Sequence, residues 1–420
     1  MDSYELQPVG VDLMLPVSPI LPLLSPEDEL AAQHTGHLDR DSQVVIPAIL
    51  QHAKRKHVKT IYSPCHPRRL QRLVFVFLFM TVCALMHVTL TAVWPSTPVA
   101  DEFDVAFARF WRNRLSVHDS ERYPVDFFGN VMPIPCHSHN DYWRRTPLFA
   151  ALGSGCVSIE ADVWPEKMDL YVAHTRSDVR ENATLRHMYI DPLRGILEAL
   201  NSPTMLSQYA SRPLGFFYND PMQSLTLLVD FKTPDDSIFT LLYDQLQPLR
   251  DRGWLTHWNG TDRVIRPITV VASGSVDFDL LTANHSYRDI FYDAPLHALE
   301  DESDGQVDSG GTVPDDPIRN FKYNPSNSHL ASVKFSKAIG LLWRERLSDE
   351  QIKTLRKQIH NARERQLVPR YWGTPRWPRS LRGAIWALLV QEGIGLLNVD
   401  DLRAVRKGRW GLWPQGGPET

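Results

Sequence analysis

Apolar residues fall along this chain in two patterns. Residues 73–94, LVFVFLFMTVCALMHVTLTAVW, form one unbroken run without an Asp, Glu, Lys or Arg. From residue 132 onward the pattern changes. Short apolar runs at 132–137, 157–163, 225–231, 268–272, 289–293, 331–336, 367–371 and 395–399 alternate with segments of helical spacing. In the clearest of these, Ser348 and Gln351 form a capping box, and Ile352, Leu355 and Ile359 recur on one face. Residues 236–252 and 380–392 read the same way. Eight strand-like runs alternating with helices predict an α/β fold, a (β/α)8 TIM-type barrel. An open doubly wound sheet is its rival. No G-x-G-x-x-G or Walker loop follows any run, which weighs against nucleotide binding.

The first run predicts a transmembrane helix. Its 22 residues span roughly 33 Å as a helix, enough to cross a hydrocarbon core. It is apolar all round and ends on Trp94, an interfacial residue type. Lys54, Arg55, Lys56, Lys59, Arg68, Arg69 and Arg72 precede it; Asp101, Glu102 and Asp104 follow it. That asymmetry predicts a single-pass protein with a cytosolic N-terminus and its later residues in a lumen or outside the cell. The glycosylation sequons at Asn182, Asn259 and Asn284 all fall on the predicted non-cytosolic side. The expected layout is a disordered cytosolic tail (1–72), the span (73–94), a juxtamembrane linker (95–125), the barrel (126–410) and a short tail (411–420). The acidic, Gly-rich segment 300–317 reads as a solvated loop.

The formal net charge is −4, which gives no electrostatic case for nucleic acid. Four cysteines are too few for a disulfide scaffold and match no zinc spacing. Cys136 and Cys156 lie near the candidate site, and the unpaired reading is favoured over a bridge between them.

Chemistry-bearing residues gather where the runs end, and barrel sites form at the C-terminal ends of strands. His137 and His139 end the first run, Glu160 and Asp162 the second, and Asp230 with Lys232 the third; Asn398 and Asp400 end the last. His174 ends a shorter run of its own. Glu160 and Asp162 are two apart, so they face one way on a strand. If they converge with Asp230, three carboxylates repel where water is scarce, and a bound cation is a stable solution. Oxygen-only ligands favour a hard divalent ion, Mg²⁺ or alternatively Ca²⁺. The histidines then supply acid–base chemistry near neutral pH, with His139 and His174 on opposite sides of a phosphate. Lys232 offsets charge on phosphoryl oxygens. The choice between His137 and His139 stays open.

Each element alone has a plainer reading. A lone strand histidine is usually a satisfied core residue, Glu-x-Asp a solvated edge, and Lys232 the partner of a nearby acid. The combination points to a site because every element sits at the end of a run in one repeating pattern.

These residues resemble the PLC-like phosphodiesterase superfamily, which includes glycerophosphodiester phosphodiesterases and sphingomyelinase D type enzymes. There a His ends the first strand, Glu-x-Asp ends the second, and another His follows about a dozen residues on. Here His137 or His139, Glu160 with Asp162, and His174 match, with Asp230-Phe-Lys232-Thr233 and Tyr371-Trp372-Gly-Thr further along. The motifs His137-Ser-His-Asn-Asp-Tyr142, Pro147-Leu148, Gly155-Cys156, Glu160-Ala-Asp-Val-Trp164 and Tyr189-Ile-Asp-Pro-Leu193 are similar to the fungal altered inheritance of mitochondria protein 6 family. The resemblance covers roughly residues 130–405. It implies a TIM-type barrel, phosphodiesterase-like activity and a divalent cation, and supplies no physiological substrate. The His-Arg-Gly of glycerophosphodiesterases reads His139-Asn140-Asp141 here. Asn140, Arg144 (or Arg145) and Trp372 are then the residues expected on the substrate.

The resulting expectation is a metal-dependent phosphoric diester hydrolase or lyase acting on a phospholipid-derived or glycerophosphodiester substrate. The alternative is an inactive barrel that binds a phospholipid or a protein partner.

Overall fold

The structure is a computed structural model that describes residues 67–93, 102–114, 128, 130–202, 212–299, 321–343 and 346–408. The expected N-terminal tail up to residue 66, Trp94, the acidic segment 300–317 and the end of the chain lie outside them.

All eight predicted runs are strands of one sheet. They are β1 (Ile134–Ser138), β2 (Cys156–Glu166), β4 (Leu225–Phe231), β7 (Ile268–Gly274), β8 (Ile290–Pro295), β9 (Ser328–Lys334), β10 (Val368–Trp372) and β11 (Leu396–Val399). Each pairs in parallel with its neighbours, and β1 pairs with both β2 and β11. That double pairing closes the sheet into a barrel and rules out the open-sheet rival. Both faces of a closed parallel sheet are covered, so its strands are near-continuous apolar runs such as LTLLVDF in β4. Three further short strands lie outside those eight runs, the first of them in the shorter run that leads to His174. β3 (Asp169–Val172) turns back antiparallel along the end of β2, and β5 (His257–Trp258) with β6 (Arg263–Val264) forms a small ribbon.

Helices cover the barrel. Asp349–Glu364 begins on the predicted capping box and buries Leu355, Gln358, Ile359 and Ala362. The helix expected over 236–252 is two pieces, Ser237–Gln245 and Gln247–Arg250. Pro248, with no N–H to donate, follows the break. Within the expected linker, Glu102–Arg114 is a helix whose Phe103 and Phe107 are buried in the barrel's apolar core. Phe107 packs on Phe149 at 4.9 Å. Gly153 allows this approach, since a Cβ there would stand 2.0 Å from the Phe103 ring.

Cys136 and Cys156 form a disulfide, which corrects the favoured unpaired reading. Parallel pairing of β1 with β2 brings their Cα atoms to 4.7 Å, a separation that spacing along the chain does not reveal.

Pro67–Val93 is a helix. Its Gln71–Val88 window is exposed throughout and is long and apolar enough to cross a membrane.

Candidate active site

Each barrel strand brings a polar side chain to the interior or to the mouth at its C-terminal end. They are His137, Glu160 with Asp162, Asp230, Ser273, Asp293, Ser332, Arg370 and Asn398 in strand order. Hydrogen bonds join them around the ring: His137 to Glu160 (2.9 Å), Ser273 to Asp230 (2.6 Å), and Arg370 to Ser332 (3.0 Å), Asn398 (3.2 Å) and Asp293 (3.4 Å).

Asp162 has a lopsided environment. Its Oδ2 accepts from Tyr142 Oη at 2.6 Å and Lys232 Nζ at 2.7 Å, and lies 3.1 Å from His174 Nδ1. Its Oδ1 is buried without a partner. Burial and the neighbouring Glu160 charge push its carboxyl above the usual range, against the pull of Lys232 and Tyr142. Glu160 is shifted the other way. Burial opposes its charge, but His139, His137 and Arg370 hold it well below the usual range. Lys232 also reaches Asp230 Oδ2 at 2.6 Å. Burial works against its ammonium, and Asp230 and Asp162 more than offset that.

The structure separates the two candidate histidines of the first strand. His137 is fully buried inside the barrel, with Nδ1 2.7 Å from Ser158 Oγ and Nε2 2.7 Å from Arg370 Nη1. Burial first, and Arg370 next, lower it to about 4, so the ring is neutral at pH 7. His139 is at the mouth. Its Nδ1 meets Asp400 Oδ1 at 2.8 Å, while Nε2 stands 4.0 Å from Glu160 Oε2, beyond hydrogen-bond reach. Burial lowers its affinity for a proton, yet the Glu160 and Asp400 charges raise it above the ordinary value.

His174 sits across the same mouth, just past β3. Ala173 N donates to Asp162 O at 3.0 Å, and Trp164 Nε1 donates to Ala173 O at 3.0 Å. The antiparallel return of β3 therefore fixes His174 beside Asp162, with the Trp143 ring edge-on at 5.0 Å. A carboxylate only accepts, so Nδ1 of both mouth histidines carries the proton in the neutral ring. Among the described residues no hydrogen bond reaches Nε2 of either ring.

Asn140 occupies the left-handed region at φ 46°, which asparagine tolerates, and turns the chain after His139. The buried Asp141 anchors this turn, accepting from Ser138 Oγ (2.6 Å), Leu148 N (2.6 Å) and Tyr189 Oη (3.1 Å). Asn140 Oδ1 lies 3.0 Å from Tyr142 Oη. Trp372 is on the mouth side of β10, with Lys334 Nζ 5.5 Å from its ring centre.

Arg144 requires a correction. Its guanidinium donates to Ser138 Oγ and to the carbonyls of Asp400, Val399 and His139. It clamps the β1 loop to the end of β11, and those donors are not available to a phosphate. Sequence reasoning also missed Tyr142 and Arg370. Arg370 had a readable signal: it is two residues from Trp372 in a recognised strand and so shares its face.

Glu160, Asp162 and Asp230 fit a hard divalent cation by donor chemistry. The orphaned Asp162 Oδ1 supports the fit, since a buried carboxylate oxygen needs a donor or a cation. They do not form a closed cage. Lys232 lies between Asp162 and Asp230, and among the described residues no three His, Cys, Asp or Glu stand at metal-ligand spacing. An ion such as Mg²⁺, which keeps waters and uses one or two carboxylates plus substrate phosphate, does not require a cage.

Comparison with known proteins fits this geometry. Residues 125–293 match the AIM6-like phosphodiesterase domain. The altered inheritance of mitochondria protein 6 homolog of Arthroderma benhamiae is 35% identical over 297 residues, covering 68% of this chain and 87% of that protein. Altered inheritance of mitochondria protein 6 of Eremothecium gossypii is 36% identical, covering 64% of this chain and 68% of that one. The Saccharomyces cerevisiae protein of that name is 33% identical, covering 65% and 70%. No solved structure matches the chain significantly.

Proposed function

This chain belongs to the altered inheritance of mitochondria protein 6 family, and from that premise we propose that it is a metal-dependent phosphoric diester hydrolase using histidine acid–base catalysis on a lipid-derived or glycerophosphodiester substrate. One observation carries the reading. Two imidazoles at one mouth each turn Nδ1 to a carboxylate, His139 to Asp400 and His174 to Asp162, and among the described residues no hydrogen bond reaches Nε2 of either.

The diester phosphorus lies between the two rings. His174 is the more exposed, so it meets solvent water and takes its proton on Nε2 as the water oxygen bonds to phosphorus. His139, protonated on Nε2, gives that proton to the departing alcohol oxygen as the ester P–O bond breaks. The products are a phosphomonoester and an alcohol, and the two rings return to their starting states by exchange with solvent. Asp400 and Asp162 hold the tautomers and balance the charge on each ring. Lys232 offsets charge on the phosphoryl oxygens. A divalent cation held by Glu160, Asp162 and Asp230, when bound, supplies further neutralisation of those oxygens.

A lipid-derived substrate is supported by the rim. Trp343 and Trp377 are 80% and 78% exposed on segments that follow the C-terminal ends of β9 and β10, and Met168 is 86% exposed at the β2–β3 turn. Tryptophan at such positions suits the interface of a bilayer. The Pro67–Val93 helix would anchor the chain, with its N-terminus cytosolic and the barrel luminal or outside. Asn182, Asn259 and Asn284 are all exposed, as glycan acceptors must be. A glycosidase-sensitive mass shift checks that topology.

Lys232 already places a cation between Asp162 and Asp230, which favours the alternative of a barrel that binds a phosphodiester without cleaving it. Turnover of a phospholipid and glycerophosphodiester panel by the full chain, with Mg²⁺ and with EDTA, decides. Cleavage lost in EDTA supports the proposal. Cleavage unchanged in EDTA removes the metal, and binding without cleavage removes the hydrolase.

A further inference from the structure

The segments that follow β9 and β10 form one side of the mouth. The two strands are parallel neighbours, and Lys334 at the end of β9 stands in register with Trp372 at the end of β10. The first segment has a held backbone. Gly340, at φ +79°, ends the short helix Phe335–Ile339. Gln351 of the capping box donates to Ile339 O at 2.7 Å and to Leu341 O at 3.0 Å. Arg346 N donates to Trp343 O at 3.1 Å and closes a turn. These bonds fix the chain while its apolar side chains stay in solvent. Leu341 is 93% exposed and Trp343 nearly as open, and Trp377 matches them on the second segment. Large apolar side chains presented together mark an interaction surface.

The same lip is basic, although the chain carries a formal net charge of −4. Residues 334–353 hold five Lys or Arg against three acids, and residues 372–391 hold three Arg against none. Some of these charges are paired: Arg376 with Asp400, Arg382 with Asp401 and Lys353 with Glu350. Lys334, Lys337, Arg346 and Arg379 are exposed, and among the described residues none of them meets a carboxylate. Arg379 also opens the helix Arg379–Gln391, whose N-terminus has no side-chain cap and no acid in its first turn. The N–H groups of that turn add partial positive charge.

Tryptophan settles at the headgroup level of a bilayer, and Lys and Arg are drawn to anionic lipid. The chain brings a bilayer within reach. Only residues 94–101 separate the Pro67–Val93 helix from Glu102–Arg114, whose Phe103 and Phe107 are buried in the barrel core. A stretch of that length extends at most roughly 30 Å. The expected glycan acceptors Asn259 and Asn284 precede β7 and β8, so they lie at the opposite end of the barrel. Asn182 follows β3, which pairs beyond β2, away from β9 in the ring.

We propose that this lip docks on a bilayer of anionic phospholipid, with Trp343 and Trp377 among the headgroups and the four cations on lipid phosphates. The proposal rests on the phosphodiesterase reading and deepens it, because it names the charge of the surface that presents the substrate. A lipid held there lies beside the mouth that carries His139 and His174.

Vesicle binding tests it. The full chain, its span wrapped in a non-ionic amphipol, is mixed with sedimentable vesicles of phosphatidylcholine alone or with about one third phosphatidylglycerol. The phosphatidylglycerol vesicles should bind at least about thirtyfold more tightly. Arg346→Gln with Arg379→Gln should cut that preference about tenfold or more, with the melting temperature unchanged. Arg186→Gln with Arg252→Gln removes the same charge from exposed positions elsewhere on the barrel, and should leave binding within about twofold. Equal binding to the two kinds of vesicle overturns the proposal. So does an equal loss in both double variants, which would assign the preference to overall charge. If the first pair unfolds the chain, Lys334→Gln with Lys337→Gln provides the same comparison. Selective vesicle binding without turnover of any phosphodiester leaves the docking surface standing and sinks the hydrolase reading instead.

Discussion

His139 Nδ1 lies 2.8 Å from Asp400 Oδ1, joining the loop after the first barrel strand to the residue after the last. This contact crosses the seam where the sheet closes. It fixes which ring nitrogen carries the proton, so Asp400→Asn allows the wrong tautomer. Turnover of a phosphodiester should fall about 10²–10⁴-fold, with little change in unfolding midpoint. A kcat within twofold of wild type would remove His139 from the chemistry.

Asp162 concentrates the rest of the site. Asp162→Asn should abolish divalent-ion binding in calorimetry and lower turnover about 10²–10³-fold together. Loss of turnover with ion binding intact would mean that the cation is held elsewhere.

Gly274 ends β7 at φ +73°, and a Cβ there would stand 2.5 Å from Phe231 O and 2.8 Å from Asp230 Oδ1. Gly274→Ala adds a left-handed strain of about 1–2 kcal/mol and forces Asp230 away from Lys232. Both the denaturant midpoint and the activity should drop. A variant with normal activity would show that the position of Asp230 is not critical.

His329 gives the fold a pH dependence. Its Nδ1 is sealed from solvent without a partner, and burial with the nearby Arg263 lowers it to about 3. An unfolded chain protonates this ring near 6.5, so between those values the unfolded state binds the extra proton. The contribution is whole above pH 6.5 and is lost as pH falls toward 3, at no more than about 1.4 kcal/mol per pH unit. His329→Gln should therefore narrow the gap between urea midpoints at pH 7 and pH 5. An unchanged gap assigns the acid sensitivity to other groups.

On the proposed function, Trp343 and Trp377 act in recognition of a bilayer and not in the chemistry. Trp343→Ala with Trp377→Ala should slow cleavage of diesters in a bilayer about tenfold or more, and leave a soluble diester unaffected. Equal losses on both substrates would show that these side chains support the fold.

The eight barrel strands were readable because each apolar run is bounded by polar residues and followed by helical spacing. The capping box at Ser348 and Gln351 likewise marks the start of its helix. Closure was less legible, since it rests on β1 pairing with a strand more than 250 residues away. Neighbouring motifs located Glu160, Asp162, Asp230 and His174, but no pattern assigns a tyrosine such as Tyr142 to a carboxylate 20 residues further on. Arg144 shows the opposite error. Its position beside the His-Asn-Asp turn suggested a phosphate ligand, whereas the unmade hydrogen bonds of strand-end carbonyls were the stronger claim on its donors.

The Cys136–Cys156 bond sews together the two staves that carry His137 and Glu160. Glutathione in a cytosol would keep those thiols apart. A barrel assembled there would lack its covalent stitch at the place where the site begins. The domain therefore has an oxidised and a reduced form that differ by one covalent tie between neighbouring staves.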